Sequence, residues 1–160
     1  MQNKSTWLAH ALVTGAAGVA ATAAVIAVWG QAKQGAPWAP FNAVAHMVFG
    51  DQAAARDGFS ARETLVGLGL HAGAITTWAV LYERSPAGKL ALPQSLGSGA
   101  LAAALVYLLD YHVLPERLRP GFEKRLGPES IPATYAALAL ALGLSPLWKS
   151  GDANDNHAHQ

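Results

Sequence analysis

Apolar positions in this chain fall into four blocks separated by polar, proline- and glycine-containing segments. Leu8 to Val28 contains no Asp, Glu, Lys or Arg. A helix of about 20 such residues spans a hydrocarbon core of about 30 Å. Trp7 and Trp29 bracket the block. At about 1.5 Å per helical residue they stand about 33 Å apart, the spacing of two interfacial aromatic belts. A cleavable signal peptide has a shorter apolar region of about 7–15 residues, so the block reads as an anchor. Thr64 to Leu81, Ala91 to Leu109 and Ile131 to Leu147 repeat the pattern. Helices apolar all round belong in lipid or in deep cores, and this chain has no amphipathic partners to cover four of them. The pattern predicts an all-α fold: an integral membrane four-helix bundle with spans over about 8–29, 64–82, 91–112 and 131–148.

The connections refine this picture. In the first loop Gly35, Pro37 and Pro40 break the chain, after which Phe41, Val44, Ala45, Val48 and Phe49 fall on one helical face. This predicts a short interfacial helix over about 40–50, lying in the membrane surface or tucked under the bundle. Pro86 and Gly88 make 84–91 a tight turn, so blocks two and three are expected to be antiparallel neighbours. Residues 115–128, with Pro115, Pro120, Gly121, Gly127 and Pro128, read as a structured interfacial loop. Residues 1–150 form one domain, and the polar stretch 151–160 is expected to be disordered. Small residues are frequent in the blocks, including a Gly69-xxx-Gly73 pair of the kind that lets membrane helices approach closely.

Composition narrows the function classes. Hydrophobic residues make up 52 % of the 160 and charged residues 13 %, about half the charge of an ordinary soluble domain. The net charge is +1 with no basic run, which argues against a nucleic-acid partner. The absence of cysteine excludes disulfides, thiol catalysis and iron–sulfur clusters. No Gly-x-Ser-x-Gly elbow, Walker loop or dinucleotide fingerprint is present.

Four spans place both termini and the 84–91 turn at one face, and the first loop and the 110–130 loop at the other. Lys33, Arg56, Arg62, Arg117, Arg119, Lys124 and Arg125 belong to the loop face, against Lys4, Arg84, Lys89 and Lys149 at the terminal face. That excess makes the loop face cytoplasmic and the termini periplasmic. The same topology brings Asn42, His46, His71, Asp110, His112 and Tyr135 towards one end of the bundle. Ionisable groups within spans often mark ion, proton or ligand sites. Histidine with carboxylate also suits zinc, copper or iron, so His46, His71 and His112 are the candidate metal ligands. The competing reading is that these groups serve packing or sit among headgroups, since no dedicated ligand motif such as HExxH is present. Asp110 and His112, two apart on a helix, do not share a face.

The segment Ala36-Pro37-Trp38-Ala39-Pro40-Phe41-Asn42-Ala43, followed by His46 and Gly50-Asp51, resembles small bacterial inner-membrane proteins with a Pro-x-Asn-Ala-x-x-His segment after the first span. The resemblance extends to a histidine in the second span, matching His71. It implies a membrane architecture and a bacterial setting, and no reaction. The expected function is therefore that of a polytopic inner-membrane protein with an accessory or structural role and without evident catalysis. Its expected partners are the lipid bilayer and another copy or another membrane protein. No resident cofactor is expected. The alternative is a small-ligand, metal, haem or proton-handling protein using the histidine and aspartate cluster.

Overall fold

A computed structural model describes residues 4–149. The stretch 151–160, expected to be disordered, and His157 and His159 within it lie outside the described residues. All regular structure among the described residues is helical. The long helices are α1 (Lys4–Gln34), α4 (Glu63–Arg84), α5 (Leu92–Leu108) and α7 (Ser130–Gly143). The short ones are α2 (Ala39–Val44), α3 (His46–Phe49), α6 (Glu123–Leu126) and α8 (Ser145–Lys149). Three segments, Thr6–Gln34, Glu63–Arg84 and Leu92–Val113, are long and apolar enough to cross a membrane.

The fourth apolar block departs from expectation. Its helix α7 has 14 residues, about 21 Å at the helical rise, and stops at Gly143 before a break at Leu144. Pro146 supplies the reason, because it has no N–H to give a preceding carbonyl and its ring crowds the previous turn. The interfacial helix also differs. It is two short helices that meet at Ala45, not one stripe. Phe41, Val44 and Ala45 are buried, whereas Val48 turns outward. The α2 half is tucked against α4, because Gly67 has no side chain and the Phe41 carbonyl occupies the place a Cβ would take.

The long helices run antiparallel in two tight pairs, α1 with α4 and α5 with α7, and α1 also packs on α7. The tight contacts fall where a side chain is missing. A Cβ on Gly18 would sit 2.9 Å from Ile75 Cγ2, and one on Gly99 would sit 2.6 Å from both Ala139 O and Gly143 N. Gly69 and Gly73, by contrast, meet nothing within 4 Å, so the predicted close-approach pair faces outward and takes no part in the internal packing.

Helices α4 and α5 are joined by the 3₁₀ turn Pro86–Lys89, where the Ser85 hydroxyl accepts the Ala87 N–H at 3.1 Å. Along their length their backbones stay apart. Trp78 and Tyr82 of α4 and Ala102, Ala103 and Val106 of α5 reach across to meet Leu138 and Leu142 of α7 in one cluster. A second cluster at the other pole joins Ile26, Phe41, Val44, Phe122 and Leu126, and fastens the loops to the bundle. Ion pairs ring that pole: Lys33 Nζ lies 2.6 Å from Glu129, and Lys124 Nζ 2.7 Å from Asp51. The hydrogen bond from each lysine holds its carboxyl below the ordinary value.

Candidate functional site

The wide α4/α5 seam opens into a cavity of about 320 Å³ near the loop pole. Its walls are chiefly apolar: Ile75 and Trp78 from α4, Val106 and Leu109 from the end of α5, Phe122 from the loop and Leu138 from α7. Five polar side chains interrupt them: Thr22, His71, Asp110, Thr134 and Tyr135. They come from four places in the chain: α1 supplies Thr22, α4 His71, the end of α5 Asp110, and one turn of α7 both Thr134 and Tyr135. Asp110 comes from a π-helical turn, Leu109–Val113, that widens the end of α5. Such turns recur at functional sites because they re-aim side chains that a regular helix holds on another face.

Hydrogen bonds fix the polar groups. The Thr22 hydroxyl lies 2.7 Å from Gly18 O and 2.8 Å from His71 Nε2. A hydroxyl has one hydrogen to give. When that hydrogen goes to Gly18 O, His71 Nε2–H donates to Thr22 and Nδ1 is left as a bare acceptor. Among the described residues no hydrogen bond occupies Nδ1. Tyr135 Oη donates to Asp110 Oδ2 at 2.5 Å, which leaves Oδ1 as the second open acceptor. Thr134 donates to Ser130 O at 2.9 Å within its own helix.

Three of the six sequence-derived candidates, His71, Asp110 and Tyr135, therefore line one cavity. The other three do not. Asn42 is buried, with every hydrogen-bonding group used: its amide donates to Arg56 O at 3.1 Å and Gly58 O at 2.9 Å, and its Oδ1 accepts from Thr64 Oγ1 at 2.5 Å. Thr64 in turn accepts the Ser60 N–H at 2.9 Å. This is a clamp that seats the 56–64 segment on the start of α4. His46 donates from Nδ1 to Ala43 O at 2.8 Å, and its ring packs against Gly121. Gly121, at φ +86°, has both the conformation and the space that a side chain would deny. His46 Nε2 is buried without a protein partner among the described residues. His112 is exposed, edge-on to Tyr107 with ring centroids 5.6 Å apart.

The proposed metal set of His46, His71 and His112 is thus not assembled. Among the described residues no three His, Asp or Glu side chains are grouped to hold a metal ion. Nor, among the described residues, do two histidines face each other across the cavity as axial haem ligands would, because His71 is the single described histidine in its wall.

Sequence reasoning missed Thr22 and the buried polar pair at the opposite pole, where Thr14 Oγ1 donates to Glu83 Oε1 at 3.0 Å. A signal was present. His10, Thr14, Gly18 and Thr22 recur every four residues along α1 and mark its buried, mildly polar stripe. Tyr107 also escaped notice: it joins Tyr111 and Tyr135 in an aromatic wall with ring centroids 5.4–6.2 Å apart, and Tyr111 Oη donates to Glu123 at 2.9 Å.

The chain matches no protein-family model, no curated protein and no solved structure.

Proposed function

We propose that this chain is a multi-pass protein of the bacterial inner membrane that holds a small ligand in the cavity between α4, α5 and α7, in an accessory rather than a catalytic role. The carrying observation is the convergence of His71, Asp110 and Tyr135, with Thr22 and Thr134 beside them, on one chiefly apolar cavity of about 320 Å³, within the size range of small-molecule sites. An apolar wall with a few fixed polar groups binds by burial and orients by hydrogen bonds. A purely structural protein gains nothing from unfilled space, because every void forfeits dispersion contacts. The membrane reading rests on the three long apolar helices, with α7 and α8 together as the fourth, interrupted crossing. The excess of Lys and Arg on the loop side supports periplasmic termini.

The test is photolabelling of the full chain in lipid vesicles with a short diazirine-bearing alcohol, mapped by peptide mass spectrometry. Label is expected to concentrate on residues around His71–Trp78 and Val106–Asp110 and to fall several-fold in Val106→Phe, which fills the cavity. Label spread over the outward-facing leucines, with no preference for these peptides, defeats the proposal.

A further inference from the structure

The ligand class follows from where the cavity opens and what lies next to it. Ala74 lines the cavity and is itself exposed, so the cavity opens sideways between α4 and α5. Ala74 is eleven residues beyond Glu63, about 16 Å along the helix. In a membrane of about 30 Å that is mid-depth, so the mouth faces acyl chains rather than water. A second groove, of about 260 Å³, continues along the same seam towards the other pole. Trp78 and Val106 line both spaces and form their common wall. Beyond them the groove presents Leu81, Leu101, Ala102 and Leu105. At its far end the Tyr82 and Ser98 hydroxyls are 2.7 Å apart, and both also contact Ser95. Apart from the Trp78 indole N–H in the common wall, the open hydrogen-bonding groups of the seam sit at one end, at His71 Nδ1 and Asp110 Oδ1. Both are acceptors.

We propose that the α4/α5 seam is a single site for a single-chain amphiphile taken from the bilayer, with a hydroxyl- or amine-bearing head between His71 and Asp110 and its hydrocarbon tail running past Trp78 and Val106 towards Leu101. The polarity of the two ends matches that of the ligand. A head without a donor leaves both acceptors unpaired in an apolar wall, a loss of the kind that separates a hydroxyl ligand from its isostere most strongly. From Asp110 to Leu101 the tail runs about 13 Å along α5, which suits a medium-length chain. This inference rests on the ligand-binding reading above and adds to it the ligand's class, pose and source.

The experiment is competition against the short photolabel, in vesicles holding the full chain, by decanol and by decyl methyl ether. These probes share a tail and differ in the donor. Decanol is expected to displace the label at about one-tenth the concentration the ether needs, and His71→Phe is expected to abolish that difference. Ala102→Phe and, separately, Leu105→Trp fill the tail groove and are expected to weaken decanol several-fold, while the short label still reports an intact cavity. Equal competition by the ether overturns the donor-bearing head. Undiminished decanol competition in both tail variants overturns the pose. If the short alcohol labels the cavity and decanol fails to compete, the amphiphile inference falls while the cavity reading survives. If the short alcohol itself does not label the cavity, the reading beneath it fails first.

Discussion

The α5/α7 crossing and the α4/α5 seam are built from neighbouring stretches of the same apolar helix, yet one is closed and the other open. At the crossing Gly99 and Gly143 bring two backbones into contact. At the seam Trp78 and Tyr82 keep the backbones apart and leave a cavity. The difference teaches that small residues draw helices together only where they meet a partner. Gly69 and Gly73 have the right spacing and touch nothing. Polar groups repeat the contrast. Asn42 spends every donor and acceptor on the closed side of the molecule, while His71 and Asp110 keep acceptors open beside the cavity.

The comparison breaks most visibly at the glycines. Gly99→Ala puts a methyl against backbone atoms that cannot rotate away, and a loss of about 3 kcal/mol is expected. Denaturant titration of the purified chain in mild detergent measures it, and a loss below about 1 kcal/mol contradicts the closed-crossing account. Asn42→Ala strands two carbonyls and the Thr64 hydroxyl, with an expected cost of about 2–3 kcal/mol by the same titration. Tyr135→Phe removes one hydrogen bond to Asp110. Because that carboxyl borders the cavity and is not locked on every side as Asn42 is, the expected cost is smaller, about 1 kcal/mol. A cost equal to that of Asn42→Ala shows the cavity to be as closed as the clamp.

Gly73→Ala meets empty space and gains helix propensity, so a stabilisation below about 1 kcal/mol is expected. If it destabilises or changes the oligomeric mass, the outward glycine pair has a partner in the membrane.

The smallest effect concerns pH. Asp51 and Glu129 titrate lower in the folded chain than their ordinary values of 3.8 and 4.5, because Lys124 and Lys33 donate to them. Their contribution to stability is complete above those ordinary values and fades as pH falls through the lowered folded ones. A shallow decline of the unfolding midpoint is expected on acidification from about pH 6 to about pH 3, and it should flatten in the Lys33→Met, Lys124→Met double variant.

Much of the helical layout was legible in the pattern of apolar residues. Three of the four expected spans correspond to helices of sufficient length, because a run without charges has few alternatives to a continuous helix. The fourth was misjudged in continuity: hydropathy does not register the backbone donor lost at Pro146, which splits Ser130–Lys149 at Leu144. The loop helix was misjudged in shape, since a helical periodicity through Phe41 and Phe49 is indifferent to a bend at Ala45. Of the candidate site, helix depth set His71, Asp110 and Tyr135 at one level, and all three line the same cavity. Depth alone also admitted Asn42, His46 and His112, which the tertiary contacts assign to a clamp, a loop tie and the surface.

By itself the amino-acid sequence determined where helices run and which ends carry charge, because both follow from local chemistry along one dimension. Which helices touch, which glycines matter and which polar groups are left with open acceptors were decided only by the tertiary structure. Those properties depend on the rotation of each helix about its axis. That rotation is set by the shapes of residues far apart in the chain, as when Gly18 admits Ile75 and so brings Thr22 to His71.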